Sequence, residues 1–131
     1  NLFGIRVFSS KGHNEIAGNT LNNNRASGIL LADSSQAVVT GNFLTDNLMY
    51  GITLFISENI LLINNDITGS DYGIALVANS NNNEVVSNSI VSSNGILFEN
   101  SKNNVIKSND LDEGGVSYDI LATHNAEVDD E

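Results

Sequence analysis

The residues best placed to do chemistry are Asp110, Asp112 and Glu113, in the stretch SNDLDEGG. Calcium takes several oxygen ligands from a constrained loop, and these carboxylates are the candidate set for it, with Asp66 and Asp71 as weaker candidates. An acidic loop that holds no ion is the simpler reading, so the expected cofactor is none, with Ca2+ as the one exception. Bases available for catalysis are few: Arg6, Lys11, Arg25, Lys102 and Lys107, with His13 and His124. His13 and His124 sit in different parts of the chain with no ligand partner and read as surface turn residues. Met49 is the only methionine and cysteine is absent, so neither a copper cluster nor a thiolate site is available. No catalytic residue is nominated.

The overall balance points away from several partner classes. Sixteen acidic residues against five basic ones give a formal charge of −11. DNA, RNA and anionic membranes each need a basic patch, so nucleic-acid binding is excluded as an expectation. At 131 residues and 40% hydrophobic content, the chain is read as one domain, 1–131, with a real core. No apolar run approaches the length of a membrane span. The chain starts at Asn1 with no signal-peptide pattern, which suggests a processed protein, a fragment or part of a longer chain. The segment AEVDDE, residues 126–131, is expected to be a frayed acidic tail. Asn-x-Ser/Thr acceptor sites are absent.

The elements that must position these residues are set by a repeat. A Gly-Ile pair recurs at Gly4, Gly28, Gly51, Gly73 and Gly95. A second phrase, apolar-x-x-Asn-x-apolar, places Asn19, Asn42, Asn65, Asn88 and Asn109 in a second column. Two columns that keep register over five repeats of about 22 to 24 residues indicate a solenoid. Within each unit the apolar period is two, the period of a strand. The first and third residues after each Gly are large and apolar, as in Ile52/Leu54, and so are positions −3 and +2 around each Asn, as in Leu62/Ile67. This predicts an all-β chain with three short strands per coil, wound as a parallel β-solenoid of about five coils. The coils start near 4, 28, 51, 73 and 95, with a partial sixth from about 115 in which Val116 and Tyr118 point inward.

Asparagine tolerates αL backbone at sharp corners, and stacked coils place equivalent amides above one another. Asn19, Asn42, Asn65, Asn88 and Asn109 are therefore expected to form a hydrogen-bonded ladder. Ser34, Ser57, Ser80 and Ser101, each eight residues before a ladder Asn, should form a weaker column. Tyr50 and Tyr72 each precede a repeat Gly and are expected to stack at a coil corner.

The phrases NSNNNEVVSNSI and NSKNNVIKSNDL, with the Gly-Ile starts, resemble the right-handed parallel β-helix of the pectate-lyase-like superfamily, in its NosD-like, carbohydrate-binding and sugar-hydrolase branch. That resemblance implies the fold, and it admits polysaccharide as a partner. It also implies where catalytic residues would be sought. Lyases of this kind pair a calcium cluster with a base, but the basic residues here are scattered. An Asp-Pro-His pattern cannot exist without proline. Hydrolases use aspartates on adjacent coils, whereas Asp66 and Asp110 are separated by Ser89 in their column. An accessory role of the NosD kind rests on the resemblance alone.

Strand alternation also predicts an outward face. Phe8, Leu30, Phe55, Val77 and Leu97 from the first strand, with Leu61 and Ile63 from the second, form an apolar outer stripe suited to contact with another protein. Coils with unpaired edges stack onto matching edges unless capped. The expected function is a non-catalytic structural solenoid, extracellular or on the cell surface, whose partners are other copies of itself in a filament, sheath or surface layer. A carbohydrate-binding or polysaccharide-processing domain is the alternative.

Overall fold

The computed structural model describes residues 1–123 and 126–130, with side chains described outside 113–119 and 130. Each coil carries three strands. The first coil holds β1 (Phe3–Phe8), β2 (Glu15–Ala17) and β3 (Thr20–Asn22). The second holds β4 (Ser27–Ala32), β5 (Val38–Thr40) and β6 (Phe43–Thr45), and the third β7 (Tyr50–Phe55), β8 (Leu61–Ile63) and β9 (Asp66–Thr68). In the fourth coil β10 (Tyr72–Val77) and β11 (Glu84–Val86) lead into β12 (Ser89–Glu99), which runs on into the fifth coil. There β13 (Asn104–Lys107) leads into β14 (Asp110–Thr123), and β15 (Val128–Asp130) follows in the sixth. All pairing is parallel, coil on coil, and the first strands stack in the order β1-β4-β7-β10-β12. The second strands form their own sheet, β15-β13-β11-β8-β5-β2.

The interior is a set of stacked aliphatic columns. Ile29, Ile52, Ile74 and Ile96 lie in register and are fully buried, as are Leu31, Leu54, Leu76 and Phe98 beside them. Val39, Leu62, Val85 and Ile106 line the second sheet, and Leu44, Ile67 and Ile90 the third-strand side. Each such side chain contributes roughly 1.5–3 kcal/mol by leaving water. The repeat glycines are explained by close approach. A Cβ on Gly51 would overlap Ile67 and come 2.6 Å from the carbonyl oxygen of Gly73, and Gly28 and Gly73 are similarly enclosed.

Corners follow one rule. A residue in αL conformation turns the chain, and the next residue points its side chain into the stack. Positive φ falls at Gly18, Gly41, Asn64, Ser87 and Ser108, one residue before each ladder asparagine. The expectation that the ladder Asn itself takes αL geometry is therefore corrected: these asparagines are present for their amides. The same rule operates at Asp33, Ile56, Asn79 and Asn100, each before a column serine.

The last coil differs from expectation in two ways. Its inward register belongs to Ile120 and Ala122, opposite Ile96 and Phe98, while Tyr118 lies opposite Asn94. The side chains of Val116 and Tyr118 fall outside the described residues. The acidic segment does not fray as a tail over its described part. Val128–Asp130 pairs with Asn104, Val105 and Ile106, and Val128 packs on the core.

Candidate functional site

The amide ladder is continuous. The Asn42 Nδ2 donates to the carbonyl of Ile16 at 2.9 Å and to Oδ1 of Asn65 at 2.9 Å. Asn65 repeats this with Val39 and Asn88, and Asn88 with Leu62 and Asn109. Each Oδ1 also accepts the backbone N–H of the ladder residue one coil earlier. Buried amides with every donor and acceptor used are the condition under which polar groups belong in a core. The serine column works similarly, since Ser34, Ser57 and Ser80 donate their backbone N–H to the hydroxyl of the next serine.

Two further columns escaped the sequence reading. Asn24 donates its Nδ2 and backbone N–H to Oδ1 of Asn47, whose own Nδ2 reaches the Leu21 carbonyl. Asn83 and Asn104 form another pair, donating to Ser57 and Ser80 carbonyls. The signal for each was present as an Asn–Asn spacing equal to the local repeat, but over two coils only.

The outer face of the first-strand sheet is the surface bounded by the serine column at its far corner. Its outward positions form three columns, headed by Phe3, Arg6 and Phe8 on β1. The Arg6 guanidinium lies over both rings, 5.9 Å from the Phe3 centroid and 5.6 Å from that of Phe8. A hydrogen bond of 2.8 Å between the Ser27 and Thr53 hydroxyls fixes those two on the same face. Tyr50 and Tyr72 pack ring on ring, with centroids 6.0 Å apart and a tilt of 31°. Burial pushes the Tyr50 phenol above its usual range, helped by Tyr72 and by the negative charges of Glu99 and Asp71.

Not every expected face residue is exposed. Phe8 is 63% exposed and Phe55 43%. Leu30, Val77, Leu61 and Ile63 are half-buried, and Leu97 is buried at 7% although it points outward. Ala75, between Thr53 and Leu97 in the same column, has no exposure at all. The face is a packed apolar layer with phenylalanines standing out of it. Its rim adds Ile56, exposed at 48% with φ of 50°, where the equivalent corners carry Asp33, the αL pair Ala78 and Asn79, and Asn100. A β-branched residue in αL backbone costs on the order of 1–3 kcal/mol and persists only where its surroundings impose it. Asp33 lies on the same rim, its carboxyl held below the usual range by a hydrogen bond from Lys11 and a second from Ser9.

The chain matches the family described as Right handed beta helix region over residues 2–130. It belongs to the right-handed β-helix family. Comparison with curated proteins and with solved structures gave no match.

The chemical candidates of this β-helix remain apart. Asp66, Ser89 and Asp110 share one outward column, so the two aspartates lie two coils, roughly 9.6 Å, from each other. Asp110 and Asp112 are exposed, Asp71 is exposed, and the Glu113 side chain and His124 fall outside the described residues. Among the described residues no three of His, Cys, Asp and Glu come together as a metal group. No helix among them is long and apolar enough to cross a membrane. His13 borders a shallow depression with Asn14, Glu15, Gln36 and Val38. Similar depressions recur down the same corner, beside Asn59 and Asn82 and again beside Asn103 and Glu127.

Proposed function

We propose that this β-helix is a non-catalytic structural protein that self-associates into a filament, sheath or surface layer outside the cell or at its surface. The observation that carries the reading is the composition of the first-strand outer face. In a chain with 16 acidic and five basic residues, the outward positions of the first strands of its first five coils hold only Arg6 and Glu99 as charges. An apolar face rimmed by charge is the usual form of a protein contact. The strained, exposed Ile56 beside Phe55 adds support, because a polar residue there would suit an isolated solenoid better. Coil-on-coil stacking, which already pairs every strand within the chain, is the means by which such units would extend.

A polysaccharide-binding face is the other reading, and the Tyr50–Tyr72 pair is the feature that favours it. Those rings pack on one another, half-buried, and neither is splayed as a platform. The test is the mass distribution of the purified chain over a concentration series, followed by electron microscopy of the largest species. Association that Phe55→Glu weakens by about ten-fold or more is the expected result, since a buried charge must be desolvated. A monomer at every concentration overturns the proposal, and binding to immobilised polysaccharides then becomes the next measurement.

A further inference from the structure

The two charges at the outward first-strand positions of the first five coils have opposite signs and stand four coils apart, with Leu121 and Thr123 of β14 continuing the sheet beyond Glu99. Arg6 is on the first coil and Glu99 on the fifth. Arg6 is exposed but preorganised, its guanidinium resting over the Phe3 and Phe8 rings. A second copy of the chain is the partner that this arrangement fits, and only one direction satisfies it. Side-by-side copies running in the same direction would set Arg6 against Arg6 and Glu99 against Glu99. A two-fold axis along the strands, through the third coil, sets the first coil of one copy over the fifth coil of the other.

We infer that the first-strand face pairs with a second copy of this chain in antiparallel orientation, with Arg6 of each copy reaching Glu99 of the other. Outward positions along one strand are about 6.6 Å apart, a span that an arginine side chain covers. The remaining contacts alternate in size. The second coil presents Ser27 and Ala32 where the fourth presents Tyr72 and Val77, so small residues of one copy meet large residues of the other. Phe55, on the third coil, faces its own counterpart across the axis. Five strands about 4.8 Å apart and six residues long make a face on the order of 500 Å² per copy by strand geometry. That lies at the low end of specific interfaces, so the contact is weak and reversible.

The inference deepens the proposed self-association and rests on it. The chain has no cysteine, so single-cysteine variants report the pairing directly. Under mild oxidation Phe55→Cys is expected to form a linked dimer. Phe8→Cys and Glu99→Cys should each stay unlinked alone and give the mixed dimer when combined. Arg6→Glu should weaken association about ten-fold, because two attractive pairs become repulsive, and the double variant Arg6→Glu/Glu99→Arg should restore it. That restoration also shows that the single variant folds. If the wild type associates but Phe8→Cys and Glu99→Cys self-link as readily as Phe55→Cys, the pairing is parallel and the inference fails while the proposed function stands. The same holds if neither charge reversal changes the association. A wild type that is monomeric at every concentration overturns both.

Discussion

Two amide columns flank the third strands of the first two coils, and they end differently. The column Asn19-Asn42-Asn65-Asn88-Asn109 crosses five coils without a break. The column five residues further on begins in the same way with Asn24 and Asn47, then meets Ser70. Among the described residues the Ser70 hydroxyl is the one buried side-chain polar atom without a hydrogen-bond partner. The corner itself fails one coil later. Asn23, Asp46 and Gly69 carry the αL turn in the first three coils, but β12 runs unbroken through the corresponding place, with a register irregularity between Ser92 and Asn94. Where the amide persists, the corner persists. A short apolar strand specifies direction and burial; the stacked amide holds the turn between strands.

The largest effect follows from interrupting the continuous column at its centre. Asn65→Ala removes the oxygen that accepts from the Asn42 amide and the Asn42 backbone N–H, and the amide that donates to the Val39 carbonyl, in a site that is 1% exposed. Each orphaned buried group costs about 1–3 kcal/mol, so a loss of roughly 3–5 kcal/mol is expected in denaturant unfolding. Because each coil contacts only its neighbours, hydrogen exchange should speed most in the second and third coils. A loss under about 1 kcal/mol would show that strand pairing alone holds the corner. The equivalent change in the short column, Asn47→Ala, removes the acceptor of the Asn24 backbone N–H and of one Asn24 amide hydrogen, and the amide that donates to the Leu21 carbonyl. Leu21 is only half-buried, so water can take up part of that deficit. The expected loss is about 1–2 kcal/mol. Equal losses at Asn47 and Asn65 would mean that column length carries no benefit.

The same contrast decides what could be read from the sequence. The long column was visible because five asparagines keep step with five glycines. The residue that makes the turn was not, because αL geometry at this corner is taken by glycine, asparagine and serine in different coils and so leaves no column of one type. Asn24 and Asn47 gave no pattern because a repeat of two is indistinguishable from chance. Strand alternation correctly pointed Leu97 outward, but alternation carries no information about the neighbours that bury it. Charge misled at Val128–Asp130. The acidic composition suggested solvent, whereas pairing on β13 satisfies backbone groups and lets Val128 reach the core.

The smallest effect is a gain. Ser70→Asn would place an amide one coil below Asn47, at the step of 23 residues that already separates Asn24 from Asn47. By the geometry of the column, its Oδ1 would accept from the Asn47 amide and its Nδ2 would point toward the carbonyl of Leu44, as that of Asn47 does toward Leu21. The substitution would also remove the unpartnered Ser70 hydroxyl. A net gain of about 1 kcal/mol is expected, from completed hydrogen bonds offset by the added volume. Thermal unfolding would move up by a few degrees for a domain of this size, by roughly 3–5 °C. Added protection of the Asn47 amide in hydrogen exchange would tie the gain to the ladder. A fall in stability would instead mean that the third corner is already shaped by the fused strand below it. In that case the short column ends where the fold no longer has room for an amide.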